Sequence, residues 1–326
     1  MFKAIWLTQQ DGATHATVRE LDDEVLAEGD TVVRVAWSTI NFKDALAITG
    51  KSPVVRKFPM IPGIDFAGVV ERSANAARSV GERVLLTGWG YGEQAFGGLG
   101  QKARVAGDKL VALPASLDAR SAMAIGTAGF TAQLAVLALE RHGVHPDKGE
   151  VLVTGASGGV GGFAIALLAR QGYKVVASTG RLDEAPRLQR LGATEVIARD
   201  TLSAPGKPLG KERWAGVVDS LGSHTLANAC ATTRYGGAVA ACGLAQGMDF
   251  PSTVAPFILR GVTLAGIDSV YLPMAERDAV WQRLAADLRP EAMLDLVSEI
   301  GLDEVIPTAR ELLAGRIKGR VIVRMT

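Results

Sequence analysis

The chain has 326 residues, of which 48% are hydrophobic and 21% charged, and its 35 basic and 34 acidic side chains give a formal charge of +1. This apolar content excludes a disordered chain, and the length predicts about two domains. The balanced charge argues against nucleic acid and against an acidic membrane surface as partners, because neither would meet a sustained positive field.

The apolar segments and the cysteines both indicate a cytoplasmic protein. No stretch approaches about 18 uninterrupted apolar residues, and polar residues interrupt the apolar opening from residue 9 onward. Cys230 and Cys242 are too few for a disulfide framework and lack the C-x-x-C spacing of redox and metal motifs. We therefore expect a chain without a membrane span, in a reducing compartment.

The first third of the chain has the pattern of a β-rich domain. Short runs of β-forming residues alternate with Gly and Pro up to about residue 122, among them residues 31–37, 66–70 and 83–86. Residues 119–138 then combine apolar residues at helical spacing with many alanines, which predicts a long helix that opens a second domain. We place the first domain at residues 1–122.

From residue 151 onward, β-branched runs alternate with amphipathic helices. The predicted strands are residues 151–154, 175–178, 196–198, 216–219, 238–242 and 262–267. This rhythm predicts an α/β fold, with a doubly wound parallel sheet of the Rossmann type over residues 123–296. Residues 297–326, with a helix at 309–314 and a strand at 320–324, are predicted to return to the β-rich domain.

A glycine-rich turn at residues 154–162 joins the first of these strands to a helix. A pyrophosphate needs backbone N–H groups with no Cβ in the way, and a helix N-terminus adds a favourable dipole. Gly158 and Gly159 would permit that approach, and Gly161 or Gly162 would let the helix pack closely on the strand. A merely structural turn would also carry glycines, but the surrounding doubly wound pattern favours dinucleotide binding.

The end of the second strand indicates NADP(H) rather than NAD(H). NAD sites usually carry a carboxylate there, which binds the ribose 2′-hydroxyl. In this chain Ser178 occupies the position, and Ser178, Thr179 and Arg181 could bind a 2′-phosphate through charge-assisted hydrogen bonds. Alternatively, Arg181 is a solvated side chain that heads the next helix. Arg199, at the end of the third strand, could bracket the adenosine in the same way.

The ends of the later strands supply candidates for the nicotinamide site. Ligands of such sheets lie beyond the carboxyl ends of the strands, which makes Leu244, Ile258 and Ser269 candidates to border the nicotinamide ring. Ordinary loop packing accounts for these three residues equally well, so the sequence leaves both interpretations open.

The histidines and cysteines do not combine into a zinc site. Zn²⁺ takes imidazole and thiolate donors in tetrahedral arrays. Both cysteines lie inside the predicted nucleotide-binding domain, apart from the four histidines, which are His15, His142, His145 and His224. Oxidation of an alcohol without a Lewis acid would demand another base, so reduction of a polarised double bond is the easier chemistry. A zinc-dependent alcohol dehydrogenase is thereby disfavoured.

Five stretches carry a resemblance to a known family, and they are residues 41–50, 58–68, 86–90, 125–132 and 256–262. They are similar to the zinc-free quinone oxidoreductase branch of the medium-chain dehydrogenase/reductase superfamily, and within it to the acrylyl-CoA reductase (AcuI/YhdH) subgroup. Where zinc relatives carry His and Glu after Pro-Gly, this chain has Ile64 and Asp65. The resemblance implies a GroES-like catalytic domain at residues 1–122 and a Rossmann domain that binds NADPH.

The resemblance also implies roles for individual residues. The implied pyrophosphate contacts are Ser157, Gly158, Gly159 and Val160. The implied contacts at the 2′-phosphate end are Thr179, Gly180 and Arg181, and the further cofactor contacts are Arg199, Leu244, Ile258 and Ser269. Phe42 stands where the family commonly has tyrosine, so it could keep a stacking role near the nicotinamide but has no hydroxyl to donate a proton.

The activity implied by the resemblance is NADPH-dependent reduction of acrylyl-CoA to propionyl-CoA. A hydride added at C3 would leave an enolate at the thioester oxygen, and protonation at C2 would complete the reduction. Asn41, Lys43 and Thr127, besides backbone N–H groups, are the candidate donors to that oxygen. Water is the first candidate proton source, followed by Tyr91 and Lys43. The cations of residues 51–57 could contact the phosphates of coenzyme A or could form a solvated loop.

Three alternative functions stay open. A quinone or alkenal reductase would share the fold and the cofactor but prefer free enones or quinones. A non-catalytic NADPH-binding or RNA-binding protein would keep the fold, although the chain has no basic tract for RNA. A zinc-dependent alcohol dehydrogenase would contain stoichiometric zinc. Relatives are often dimers, so we expect a homodimer.

Overall fold

The computed structural model describes residues 1–26, 28–288 and 296–325. These residues form two compact units. The first, unit 1, comprises the described residues of 1–127, 270–285 and 296–325, and the second, unit 2, comprises residues 128–269 and 286–288. Both units are therefore assembled from segments that are distant in sequence.

The strands and helices follow one another in an order close to the predicted one. In chain order the strands are β1 (Phe2–Gln10), β2 (Ala13–Leu21), β3 (Thr31–Ile40), β4 (Asp65–Ser73), β5 (Arg83–Thr87), β6 (Lys102–Val105), β7 (Val111–Ala112), β8 (Glu150–Val153), β9 (Lys174–Thr179), β10 (Ala193–Ala198), β11 (Trp214–Asp219), β12 (Thr233–Ala241), β13 (Thr263–Gly266), β14 (Val297–Gly301) and β15 (Arg320–Arg324). The α-helices are α1 (Phe42–Thr49), α2 (Ala119–Arg141), α3 (Gly159–Arg170), α4 (Ala185–Arg190), α5 (Ser223–Thr232), α6 (Ala255–Arg260), α7 (Met274–Asp287) and α8 (Val305–Leu313).

Unit 1 contains a largely antiparallel sheet with the strand order β14-β15-β3-β4-β5-β7, and β6 pairs with β3. The C-terminal strand β15 lies antiparallel to β3, with Val321 opposite Ile40. Alternate residues of β3 and β4 point into one apolar core, where Val35 and Phe66 are almost completely buried. The strand that comes last in the chain is thus an interior strand of the unit that comes first.

Helix α2 is kinked at Gly126, where φ is +49° and ψ is −160°. A Cβ at Gly126 would lie 2.7 Å from Oδ2 of Asp65 and even nearer to Nη2 of Arg320, so a larger residue would collide with both buried side chains. The helix is long and apolar enough to cross a membrane, but 89% of its apolar window is buried inside the protein, as in a core helix. The sequence predicted a long helix here but not the kink, because the kink depends on contacts with residues that are distant in the sequence.

Unit 2 contains a six-stranded sheet in the order β10-β9-β8-β11-β12-β13, and every pairing in it is parallel. The chain starts at a central strand, moves outward to one edge, and returns to build the other half. This strand order is that of the doubly wound Rossmann fold, so the predicted fold class is confirmed. The order reverses between β8 and β11, where a crevice for ligands is expected at the carboxyl ends of the strands.

The segment Val270–Ala285, which lies inside the predicted nucleotide-binding domain at residues 123–296, packs with unit 1 in the structure. Arg277 fixes it there: the buried guanidinium donates to the carbonyl and the hydroxyl of Thr87 at 2.9 and 2.8 Å, and lies over the ring of Trp89. A buried arginine inside a polar helical sequence gives no local signal of this contact. The functional domain boundaries stay a prediction.

Candidate functional site

The glycine-rich turn of unit 2 lies between β8 and the N-terminus of α3, with Gly158 as the N-cap residue. A Cβ at Gly161 would lie 2.5 Å from the carbonyl oxygen of Gly155, so this glycine lets the first turn of α3 pack on the loop. The first N–H groups of a helix have no acceptor within it, and they point towards the turn. The turn therefore has the shape and the dipole that a pyrophosphate requires.

Hydrogen bonds tie this turn to the neighbouring strand. The Thr154 hydroxyl donates to Oδ1 of Asp219 at 2.7 Å and accepts from the Ser220 N–H at 3.1 Å. The other carboxylate oxygen of Asp219 accepts from the N–H of Gly222 at 2.8 Å. Burial raises the pKa of Asp219, which these hydrogen bonds partly oppose. The carboxyl ends of β8 and β11 are thus held together at the point where the sheet order reverses.

Side chains at the end of β9 connect to the turn. The hydroxyl groups of Ser157 and Thr179 lie 2.7 Å apart, and the Arg181 N–H donates to the Thr179 hydroxyl at 3.0 Å. Ser178, by contrast, is completely buried, and its hydroxyl has no partner within the described residues. Beyond Thr179, this edge continues with Gly180, which is exposed, and Arg181, which is half-buried.

Two arginines lie at this edge of the sheet. A Cβ at Gly180 would lie 3.0 Å from Cζ of Arg199, so the absence of a side chain lets that guanidinium lie over the end of β9. Arg181 directly follows Gly180 in the chain, and Arg199 is exposed directly after the end of β10. Strand β9 ends at Thr179, one residue beyond Ser178, which was predicted to occupy the position where NAD sites usually carry a carboxylate, and neither residue is acidic. The charge at this edge suits an additional phosphate.

The candidates for the nicotinamide contacts differ in exposure. Leu244 and Ile258 are exposed by 53% and 72%, whereas Ser269 is half-buried. Exposed leucine and isoleucine side chains gain free energy when a ligand or another protein covers them. Leu244 and Ile258 are therefore available for a cofactor contact or for contact with another chain.

Unit 1 contains a buried polar cluster formed by Asn41, Asp44, Asp65, Thr127 and Arg320. The Asn41 carboxamide nitrogen donates to Oδ2 of Asp65 at 2.9 Å and to Oδ2 of Asp44 at 3.1 Å. Its carbonyl oxygen accepts from Nη1 of Arg320 at 2.8 Å. The N–H and the hydroxyl of Thr127 both donate to Asp65. The cluster joins the starts of α1, β4 and β15 to the kink of α2.

Burial changes the charge state of this cluster. It raises the pKa of Asp44 to about 7, and the nearby carboxylate of Asp65 acts in the same direction, while N–H donors from Asn41 and Ile64 oppose both effects. Burial also lowers the pKa of Arg320, against the attraction of the two carboxylates. The cluster therefore holds two carboxyl groups and one guanidinium, and one of the carboxyl groups titrates near neutral pH.

The structure separates the four predicted catalytic residues into three situations. Asn41 and Thr127 belong to the buried polar cluster, which engages their donor groups. Lys43, on the first turn of α1, is partly exposed and pairs with Glu93 at 3.0 Å. Tyr91 lies elsewhere in unit 1: its hydroxyl accepts from the Ala106 N–H at 2.9 Å, and burial raises its pKa.

Phe42 stands between Asn41 and Lys43 at the start of α1 and is 46% exposed.

Asp44 and Arg320 were not predicted from the sequence as members of the buried polar cluster. One signal was available, because Arg320 opens an apolar strand whose first four residues are buried. A charged residue at such a position usually has a buried partner of opposite charge. The identity of that partner depends on the tertiary fold.

Across residues 1–26, 28–288 and 296–325, no three or more His, Cys, Asp or Glu side chains form a group that could hold a metal ion. Burial, together with the neighbouring Asp219 carboxylate, raises the pKa of both Cys230 and Cys242 to about 12.

Comparison with known proteins identifies the family to which each part of the chain is similar. Residues 27–137 match the alcohol dehydrogenase GroES-like domain, and residues 159–286 match the zinc-binding dehydrogenase family. The chain is 53% identical to the probable acrylyl-CoA reductase AcuI of Escherichia coli and 48% identical to the acrylyl-CoA reductase AcuI of Ruegeria pomeroyi. Each alignment covers 99% of both chains.

A solved structure shows the same similarity. The crystal structure of the yhdH oxidoreductase from Salmonella enterica, in complex with NADP, matches with a TM-score of 0.98 and 51% identity. The match covers 99% of this chain and 100% of that one. The predicted family resemblance is therefore confirmed.

Proposed function

The chain belongs to the medium-chain dehydrogenase/reductase superfamily, in the family of the AcuI acrylyl-CoA reductases, and we propose that it reduces acrylyl-CoA to propionyl-CoA with NADPH. The observation that carries this proposal is the similarity to two acrylyl-CoA reductases along 99% of the chain. Bound NADPH would supply the hydride for C3 of the acrylyl group. The side chains described above supply the binding and the polar groups.

The turn of unit 2 supports the binding of the pyrophosphate. Ser157, Gly159 and Val160 would offer backbone N–H groups at the N-terminus of α3, whereas the Gly158 N–H donates to the Gly155 carbonyl at 2.9 Å, so Gly158 would serve by leaving room for the phosphate. Hydrogen bonding of Ser157 to Thr179 couples this turn to the end of β9. A phosphate bound there would meet a fixed arrangement of donors, which is the condition for tight binding.

The edge formed by Thr179, Gly180 and Arg181 supports the choice of NADPH. Arg181 would bind the 2′-phosphate, and Arg199 would bracket it from the end of β10, because Gly180 leaves room for the second guanidinium. Ser178, which is buried, would act through packing and not through contact with the phosphate. Leu244, Ile258 and Ser269 stay proposed neighbours of the nicotinamide ring.

Lys43 is the side chain that we propose as donor to the thioester oxygen. Both N–H groups of the Asn41 carboxamide and the hydroxyl of Thr127 donate inside the buried polar cluster, so we assign these two residues to positioning. An ammonium group has three donors, and Glu93 accepts one from Lys43. Lys43 could stabilise the negative charge that develops on the oxygen. Phe42 would supply an apolar surface, and water would deliver the proton to C2.

We further propose that the reaction needs no zinc, that the protein is cytoplasmic, and that it forms a homodimer. Zinc independence is supported by the donor set, since neither cysteine belongs to a group of three or more His, Cys, Asp or Glu side chains among the described residues. Exposed apolar side chains on unit 2, among them Met248, Val254 and Leu259, support a partner copy that covers them. Light scattering coupled to size-exclusion chromatography would measure the oligomeric state.

A substrate panel with purified protein and no added metal tests the proposed activity. We expect kcat/KM with NADPH to be highest for acrylyl-CoA, lower for crotonyl-CoA, and lowest for free acrylate and quinones. A preference for quinones or free enones would replace the proposal by the quinone or alkenal reductase alternative. NADPH binding without turnover of any activated alkene would indicate a binding protein, and stoichiometric zinc in the active protein would contradict the metal-free assignment.

A further inference from the structure

A cavity of about 420 Å³ lies within unit 1 and is lined by no member of the buried polar cluster. Much of its wall is apolar and comes from Leu26, Pro59, Met60, Ala95 and Phe96. Met60 is almost completely buried, so this part of the wall belongs to the core. Cavities of about 300–1,000 Å³ with a few polar groups are typical of sites for small molecules. Nothing in the proposed reduction uses this cavity.

Arg104 supplies a cation to the cavity wall. It lies on β6, and its Nε and Nη1 donate to the backbone carbonyl oxygens of Gly29 and Leu26 at 2.8 and 3.0 Å. Within the described part of the chain, no carboxylate pairs with this partly buried guanidinium, and Nη2 has no acceptor. The two carbonyl groups hold its orientation, so the remaining donors are fixed in place for an anion.

Tyr91 supplies a second donor to the same wall. Its oxygen accepts from the Ala106 N–H, but its own O–H has no acceptor among the described residues. Ala106 follows Arg104 by two residues, and alternate residues of an extended chain face the same side. Glu28 also lines the cavity, but it is largely exposed and pairs with Lys57 at 3.6 Å. Arg104 is therefore the cation of this wall that pairs with no carboxylate in the described part of the chain, whereas burial and the carboxylates of Asp108, Asp30 and Glu28 raise the pKa of Tyr91 and keep its O–H protonated as a donor.

We propose that this cavity is a second ligand site, which binds a small amphipathic carboxylate. The hydrocarbon body would pack on Leu26, Met60 and Phe96, and the carboxylate would accept from Nη2 of Arg104 and the Tyr91 hydroxyl. A guanidinium with fixed orientation favours a carboxylate over a neutral head group, because a charge-assisted hydrogen bond is stronger than a neutral one. This inference does not depend on the proposed reductase activity.

Isothermal titration of the full-length protein with octanoate tests the proposal. We expect octanoate to bind at one site per chain, and the neutral analogue 1-octanol to bind at least about tenfold more weakly, because it lacks the charge that Arg104 would meet. Excess coenzyme A should leave octanoate binding unchanged. Equal affinity for the acid and the alcohol, or no binding of octanoate, would overturn the proposal. Displacement by coenzyme A would instead assign the cavity to the thioester substrate and would overturn it too.

Arg104 and Arg72 provide a test variant and its matched control, because they flank the same residue of β3, Val32, on the two strands that pair with it. Arg104 and the exposed Arg72 both pair in register with Val32, on the two neighbouring strands β6 and β4. Arg104→Met should weaken octanoate binding about tenfold, whereas Arg72→Met should leave it unchanged. Ala95→Leu, which narrows the cavity, should weaken octanoate and 1-octanol alike. Equal behaviour of the two arginine variants, with both folded by circular dichroism, would contradict the assigned carboxylate contact.

Discussion

Asn41 uses every hydrogen-bonding group of its carboxamide inside unit 1. The two donors meet the carboxyl groups of Asp44 and Asp65 and the acceptor meets the guanidinium of Arg320, so three partners fix the orientation of the side chain. A residue with no spare donor cannot stabilise charge on a substrate without breaking one of these bonds. At the scale of the single residue, this count separates Asn41 from Lys43, which keeps unused donors on a partly exposed ammonium group.

Arg181→Ala tests the assigned phosphate contact. We expect the KM for NADPH to rise by about tenfold or more and the KM for NADH to change little, because only NADPH carries the 2′-phosphate. Steady-state kinetics with both cofactors measures the difference. Lys174→Ala is the matched control, since it removes an exposed cation from the opposite end of the same strand, β9. If Arg181→Ala changed the KM for NADPH and the KM for NADH equally, Arg181 would not contact the 2′-phosphate.

At the scale of secondary-structure elements, strand β15 carries a charge into the interior. Arg320 at its start is 4% exposed and reaches Asn41 and Thr39, each at 2.8 Å, whereas Arg324 at its end is exposed. The same strand thus holds one arginine with buried partners and one in solvent. Local sequence patterns predicted the strand itself, because its apolar residues are contiguous. They could not predict which arginine is buried, since that depends on pairing with β3.

Arg320→Met should destabilise the folded protein by about 3–5 kcal/mol, because it leaves the buried carboxylate of Asp65 without its cation. Arg324→Met should cost less than about 0.5 kcal/mol, as is usual for an exposed side chain. Urea unfolding of both variants measures the two free energies. Similar values for the two would mean that the buried polar cluster does not stabilise the fold through its charge.

Sequence patterns anticipated unit 2 more completely than unit 1. The alternation of strands and helices, and the glycines at residues 155–162, are local features, and they predicted both the parallel sheet and the turn at its reversal point. The kink at Gly126 and the docking of Val270–Ala285 depend on side chains from distant segments, among them Arg320 and Arg277. Neither leaves a local periodicity, so neither was predicted.

At the scale of the whole molecule, the titration of Asp44 links stability to pH. Its pKa is raised in the folded protein to about 7, above the ordinary value, so the folded state binds a proton that the unfolded chain releases near pH 4. The free energy of unfolding should therefore fall as pH rises from about 4 to about 7. Above about pH 7 the free energy of unfolding should change no further on account of Asp44, because its carboxylate is then ionised in both states while its burial still destabilises the folded one. We expect a decrease on the order of a few kcal/mol.

Asp44→Asn should remove this dependence, because an amide does not titrate. Its free energy of unfolding, measured with urea at pH 5 and pH 8, should differ less between the two conditions than that of the unchanged protein. Asp11→Asn is the control: Asp11 lies in an exposed turn with φ of +49°, a conformation that asparagine tolerates, and it should keep the original dependence. An unaltered dependence in Asp44→Asn would place the titration elsewhere.

The position of β15 also orders events during synthesis. A ribosome releases residues 150–266, which contain every strand of the parallel sheet, while Arg320 is still inside the exit tunnel or not yet translated. Until that arginine arrives, the nascent unit 1 holds Asp65 without its countercharge and β3 with an open edge. We therefore expect the parallel sheet of unit 2 to be complete first, and unit 1 to close only when β15 emerges with Arg320.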